Sequence, residues 1–276
     1  MVYEVKDKVF LITGAANGIG AGTVRVLVAE DAKHVAILDV SVERGVNLQN
    51  ELNSKFGTNK TKFYKCDVTN EEELFGVYKA VKEDQGVIDV VINNAGIMND
   101  SLAAYKKAID VNVTALISST YKAMELMRKD DGGKGGTIIN ISSIAALHPS
   151  PFLPVYFSTK SAVLQFTRSL CALDIIKEST DIRFLTVCFG VTQTALYETM
   201  YSYDSRLEPK MDEYFKLYPT QTTEAAVKAL VEAYKLGENG SIWLSTSEKP
   251  VKNITDPVNK AYGILTELCE LNSTIK

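Results

Sequence analysis

Seven short runs of aliphatic and β-branched residues recur along this chain, and every gap between them is long enough to hold a helix. The runs are "VFLIT" (9–13), "HVAILD" (34–39), "KFYKCD" (62–67), "VIDVVIN" (87–93), "TIINIS" (137–142), "IRFLTVC" (182–188) and "SIWLS" (241–245). Strands that are almost wholly apolar are those covered on both faces, as in a parallel sheet. Parallel neighbours need crossover connections, and the intervening stretches have the length and polarity of helices. The pattern therefore predicts an α/β fold with a doubly wound parallel sheet of about seven strands and helices on both faces. No linker or internal repeat divides the 276 residues, so a single domain over 1–276 is expected.

Composition narrows the functions open to such a fold. The net charge of −4 argues against a nucleic-acid or anionic-membrane surface, which needs a basic face. No apolar run approaches the roughly 20 residues of a membrane helix, and the opening "MVYEVKDKVFLITG" mixes charges into its apolar residues. A cytoplasmic location is expected. Cys66, Cys171, Cys188 and Cys269 are dispersed; this favours reduced thiols over a disulfide framework and predicts no metal site.

The first strand runs into "TGAANGIG" (13–20), which opens a helix. Gly14 permits a tight turn, Gly18 lets backbone approach a pyrophosphate, and Gly20 allows close helix packing. The helix N-terminus then offers free N–H groups to the phosphates. The spacing is GxxxGxG rather than GxGxxG, but the strand–turn–helix context is right. The second strand ends in Asp39, whose carboxylate can accept bonds from adenosine ribose hydroxyls and repels a 2′-phosphate; Val40 follows, with no cation to welcome that phosphate. The expected cofactor is NAD.

"LPVYFSTKSAVLQF" (153–166) places Tyr156 four residues before Lys160, on one face of a helix. "YKAVK" (78–82) has the same spacing in a charged helix, so spacing alone assigns no chemistry. Taken together, "TGAANGIG", "CDVT" (66–69), "NNAG" (93–96), "IDVNVT", "INISS" and the Tyr156–Lys160 pair resemble the short-chain dehydrogenase/reductase family over nearly the whole chain. The late segments "PVYFSTKSAVLQFTRSL", "YPTQTTEAAVKAL" and "NGSIWLST" look most like its insect-type alcohol dehydrogenase and hydroxyprostaglandin dehydrogenase branch. The resemblance implies a Rossmann-type sheet of order 3-2-1-4-5-6-7 and a catalytic set of Asn112, Ser143, Tyr156 and Lys160. It implies cofactor contacts from Gly14, Asn17, Gly18, Ile19, Gly20, Asp39, Asp67, Val68, Asn94, Ala95, Gly96, Tyr156, Lys160, Gly190, Val191 and Thr194. Asn112 would hold a helix irregularity and a water. The helices after Asn112 and around Tyr156 would pair with their copies in a homodimer or tetramer. One departure is plain: the family's Pro-Gly after the sixth strand is Phe189-Gly190 here, which removes a fixed φ and some rigidity.

These residues point to NAD-dependent oxidation of a secondary alcohol, or reduction of the ketone. A free tyrosine titrates near ~10, too high for a base at neutral pH. A cation at roughly 5 Å and an effective dielectric of about 20 stabilises a phenolate by about 3 kcal/mol, or about two pKa units, and an oxidised nicotinamide adds to this. Ser143 would hold the substrate oxygen. The stretch between 189 and 240 is crowded with apolar and aromatic residues; it either packs on the sheet or, over 195–218, covers an apolar substrate. Expected lining residues are Ile97, Ala145, Leu147, Phe152, Leu196, Tyr197, Met200, Tyr201 and Tyr214, with His148 at the mouth. Competing readings are a catalytically silent dinucleotide-binding or storage protein, a dehydratase or epimerase on the same scaffold, and an interaction module.

Overall fold

The computed structural model describes residues 2–172, 174–198 and 200–269. In chain order the strands are β1 (Val9–Thr13), β2 (His34–Asp39), β3 (Thr61–Lys65), β4 (Val90–Asn93), β5 (Gly136–Ser143), β6 (Ile182–Phe189), β7 (Val191–Thr192), β8 (Thr220–Gln221), β9 (Ile242–Ser245) and β10 (Lys252–Asn253). The helices are α1 (Gly18–Ala29), α2 (Val42–Phe56), α3 (Glu71–Gln85), α4 (Tyr105–Ile109), α5 (Ala115–Met127), α6 (Pro154–Leu170), α7 (Asp174–Thr180), α8 (Ala195–Glu198), α9 (Glu208–Phe215), α10 (Thr223–Leu236) and α11 (Thr255–Leu268). No described helix is long and apolar enough to cross a membrane.

The main sheet has eight strands in the order β10-β9-β6-β5-β4-β1-β2-β3. Every pairing is parallel except β9–β10. The expected order is thus present with one strand added, and the expected strand count falls one short. Two polar, exposed residues form β10, so neither alternation nor apolarity announces it. A separate pair, β7–β8, couples Val191 to Thr220 and Thr192 to Gln221.

Alternation along β1 explains why the sheet is covered twice. Phe10 and Ile12 join the core beneath α1 and α10, with Val24, Leu27 and Leu230. Val9 and Leu11 join the opposite core beneath α3 and α5, with Val77, Tyr78 and Met127. Tyr78 is fully buried and its hydroxyl meets Ser119 Oγ at 2.7 Å. The Tyr78–Lys82 pair is therefore a core tyrosine beside a peripheral lysine. The chain order reverses between β1 and β4, where open α/β sheets form a crevice beyond the strand ends. The candidate site residues gather at that edge.

Candidate active site

Gly14 and Gly18 have φ of +64° and +51°, conformations that side-chain-bearing residues rarely adopt. A Cβ on Gly14 would stand 2.8 Å from Ala95 Cα, so the turn after β1 is pressed against the turn after β4. Asn94 fastens the two, donating from Nδ2 to the carbonyls of Thr13 and Gly14 at 3.0 Å each. The Thr13 hydroxyl accepts the N–H groups of Asn94 and Ala95. Asn17 caps α1 without a side-chain bond, and the first turn holds no acidic residue. By contrast, α3 is capped by Asn70 and begins with three glutamates. The first-turn N–H groups of α1 are thus left to an outside acceptor.

Asp39 lies at the end of β2 beside this turn. Its Oδ2 accepts the Ala16 N–H and its Oδ1 the Ser41 N–H, both at 2.9 Å. Each oxygen keeps an acceptor position for a further donor. Val40 points outward, 60 % exposed. Asp67 accepts the Thr69 hydroxyl at 2.7 Å, which holds its carboxyl below the usual range, and Lys107 lies 4.0 Å away. Val68 is buried.

The helix leading into α5 widens into a π-helical turn over Asp110–Thr114. Asn112 within it is fully buried. Its Oδ1 accepts the Ile97 N–H, while Nδ2 donates to Ile97 O and Thr159 Oγ1. The side chain joins the segment after "NNAG" to α6. Ile97 is held through its backbone and lies outside the cavity described below.

Ser143 ends β5, and Tyr156 and Lys160 lie on α6. Ser143 Oγ donates to Phe189 O at 3.2 Å and accepts the Ala145 N–H at 3.1 Å. Burial pushes the Tyr156 phenol up to about 12; the Ser143 hydroxyl acts against this and the Asp100 carboxylate with it. Lys160 is only 4 % exposed, its Nζ donating to Ile141 O at 3.1 Å. Burial pushes its ammonium down to about 8, with Cys188 acting the other way. The ammonium lies 5.7 Å from the Tyr156 ring centre. A cation at this range favours the phenolate. The expectation that this help starts from an ordinary phenol needs correcting, because burial has already raised the phenol.

An apolar cavity of about 130 Å³ adjoins Ser143, Tyr156 and Lys160. Ala145, Leu196, Tyr197 and Met200 line it, as do Ile19, Asn94, Gly96, Gly190, Val191 and Thr194. Leu147, Phe152, Tyr201 and Tyr214 do not. Leu147 and Tyr201 are turned to solvent, while Phe152 and Tyr214 pack behind the wall against each other, 5.1 Å between ring centres. Met98, Phe157, Phe215 and Tyr218 take part in the lining unforeseen. The 195–218 stretch packs against the cavity: Met200, Met211 and Phe215 form one cluster with Ala145, Leu153, Tyr156 and Phe157. Its Thr199 is outside the described residues. His148 stacks on Tyr218 at 5.7 Å and faces Phe157 at 5.4 Å, outside the cavity lining.

Phe189 is buried in the core. Rigidity after β6 comes from hydrogen bonds: Gly190 N–H donates to Ser245 O, and buried Gln221 bonds Thr192 Oγ1, Ser245 O and Ser245 Oγ. A Cβ on Gly190 would meet Thr246 Oγ1, so the glycine is required by close approach. Asp100 is a participant the sequence does not flag. It is 1 % exposed, and its carboxylate accepts the N–H groups of Val155 and Tyr156 at 2.6 and 3.0 Å. "ND" reads as a polar turn, and nothing local signals a cap delivered to a helix 55 residues away.

The short chain dehydrogenase family model matches residues 8–204. A 15-hydroxyprostaglandin dehydrogenase, NAD(+), of Rattus norvegicus is 34 % identical over 258 residues, covering 90 % of this chain and 94 % of that protein. The Homo sapiens protein of the same name is 37 % identical over 197 residues, 71 % of this chain and 73 % of its own length. Among solved structures, a 3-ketoacyl-(acyl-carrier-protein) reductase from Brucella melitensis complexed with NADH superposes with a TM-score of 0.74. It is 22 % identical and covers 88 % of this chain and 98 % of its own, a likeness of fold.

Proposed function

The chain belongs to the short-chain dehydrogenase family, and from that premise we propose that it is an NAD-dependent oxidoreductase interconverting an apolar secondary alcohol and its ketone. The observation that carries this reading is the convergence of Ser143, Tyr156 and Lys160 on one apolar cavity that Ile19, Asn94 and Gly96 also line. Relatives named for NAD(+) and for oxidising a hydroxyl support it. A cytosolic location and pairing of two chains through α5 and α6 belong to the same reading. Exposed Tyr121, packed on Phe166 at 5.7 Å, presents an aromatic pair on those helices. Leu173, just beyond α6, lies outside the described residues.

The residues fit the dinucleotide. The uncapped first turn of α1 suits a pyrophosphate. The two open acceptor positions of Asp39 suit a pair of ribose hydroxyls and disfavour a 2′-phosphate. Gly18 and Gly96 leave room that a Cβ would fill, 3.3 Å from Thr194 Cγ2 and 3.3 Å from Asn112 Oδ1 respectively. When bound, the oxidised nicotinamide supplies the hydride acceptor and a positive charge beside the phenol. Tyr156, as phenolate, takes the proton of the substrate hydroxyl while the carbinol carbon gives up its hydride. Ser143 holds the substrate oxygen beside that phenol. Lys160 stabilises the phenolate, and Asn112 holds α6 against the turn after β4. The apolar walls exclude water and select for hydrocarbon around the carbinol.

The test is NADH formation, followed by absorbance, with a panel of 2-alkanols of rising chain length. Turnover that increases with length and vanishes in Tyr156→Phe is expected. NAD⁺ binding with no turnover on any alcohol would replace this proposal with the silent-binder reading.

A further inference from the structure

Asp100 joins two parts of the site that the chemistry needs together. Leu153 gives α6 no side-chain cap and Pro154 has no N–H, so the first free donors of the helix are those of Val155 and Tyr156. Both go to the Asp100 carboxylate. The Asp100 N–H in turn donates to Tyr201 O at 2.9 Å, and Asn99 forms a β-bridge with Tyr201. Next to it the Ser202 hydroxyl donates to Phe152 O at 2.8 Å. One turn therefore holds the start of the helix bearing Tyr156 with one hand and the middle of the covering stretch with the other.

We propose that Asp100 is a positioning residue that couples seating of the covering stretch to alignment of Tyr156, so that a substrate long enough to hold the cover down also sets the base. The proposal rests on the reading of Tyr156 as the base. Binding energy from the remote chain of the alcohol is then spent on kcat rather than on affinity alone. The carboxylate also acts electrostatically, since its charge opposes ionisation of the phenol whose backbone it holds. Among the described residues, the other titratable groups packed around that phenol are Lys160 with Cys188 behind it, Tyr197, Tyr214 and Tyr218 of the covering stretch, and His148 across Phe157.

The experiment measures kcat for 2-alkanols of increasing length, and its pH profile, in the wild type, Asp100→Asn, Ser202→Ala and Tyr156→Phe, with thermal melts of each. Wild-type kcat should rise with chain length. Asp100→Asn keeps the volume but loses one backbone partner and the charge. Its kcat on the longest alcohol should fall on the order of ten-fold, its dependence on chain length should flatten, and the ascending limb of its pH profile should move to lower pH. Ser202→Ala, which loosens the cover without touching α6, should flatten the dependence and leave the limb in place. An Asp100→Asn enzyme with the wild-type slope or the wild-type limb overturns the proposal alone, whether or not it melts earlier. An inactive wild type, or turnover surviving in Tyr156→Phe, overturns the base assignment and this proposal with it.

Discussion

Replacing Lys160 by Met should stabilise the cofactor-free protein while damaging the enzyme. The ammonium is buried and its only hydrogen-bond acceptor among the described residues is Ile141 O. Burial lowers its titration from 10.5 to about 8, which corresponds to about 3 kcal/mol of differential cost for the charged form. In the unfolded chain the lysine keeps its proton to higher pH than in the fold. Below about pH 8 both states are charged, so the native state carries the whole penalty. Between about 8 and 10.5 the folded lysine releases its proton first and stability rises with pH; above that both states are neutral and the penalty is gone. Methionine fills similar volume without charge and forfeits a hydrogen bond worth about 1 kcal/mol. The net gain is about 2 kcal/mol at pH 7, roughly 3–4 °C in Tm for a chain of this size. Calorimetric melts of both proteins from pH 6 to 11 should show a gap that is constant to about pH 8, then narrows and by about 10.5 inverts by about 1 kcal/mol, because the neutral amine still donates to Ile141 O. A variant that melts below the wild type at pH 7, or a gap indifferent to pH, refutes the reasoning.

The same variant should lose about a hundred-fold in kcat/KM near pH 7, where the ammonium is charged, because about 3 kcal/mol of phenolate stabilisation disappears; a deficit that shrinks as pH rises would identify the loss as one of acidity. Asp39→Ala should raise the Kd for NAD⁺ by one to two orders of magnitude, as it removes two ribose acceptors and leaves the Ala16 and Ser41 N–H groups without theirs; titration calorimetry reads this, and an unchanged Kd removes Asp39 from the site. Gly14→Ala should cost on the order of 1–3 kcal/mol, since φ is +64° and its Cβ would crowd Ala95 Cα; urea midpoints check it, and an unshifted midpoint would mean the two turns move apart freely.

What could be read beforehand follows the reach of the forces involved. The glycine turn and the apolar strands rest on local conformation and alternation, which a linear pattern records, while the strand order comes with the family resemblance. Strand β10 escapes because its two exposed residues pair by backbone alone. Asp100 escapes because its partners lie more than fifty residues away and a buried carboxylate looks like any turn aspartate. The cavity wall divides for the same reason. Met200 and Tyr197 are turned inward while Tyr201, in the same aromatic run, faces solvent. The acidity of Tyr156 was misjudged at its starting point, because burial is a property of the whole assembly rather than of a pair four residues apart.

The pairing of Val191–Thr192 with Thr220–Gln221 holds the two feet of the intervening excursion side by side, with Gln221 bolting them to the sheet through Ser245. A loop whose ends are already fixed pays little for added length, the entropic charge growing only with its logarithm. Changes in the length of the excursion therefore cost little in chain entropy, whereas changes in its sequence must replace the packing of Met200, Met211 and Phe215 around Tyr156. New substrate preferences are open to such a scaffold by exchanging that one stretch, provided the replacement still presents a carbonyl to the turn at Asp100.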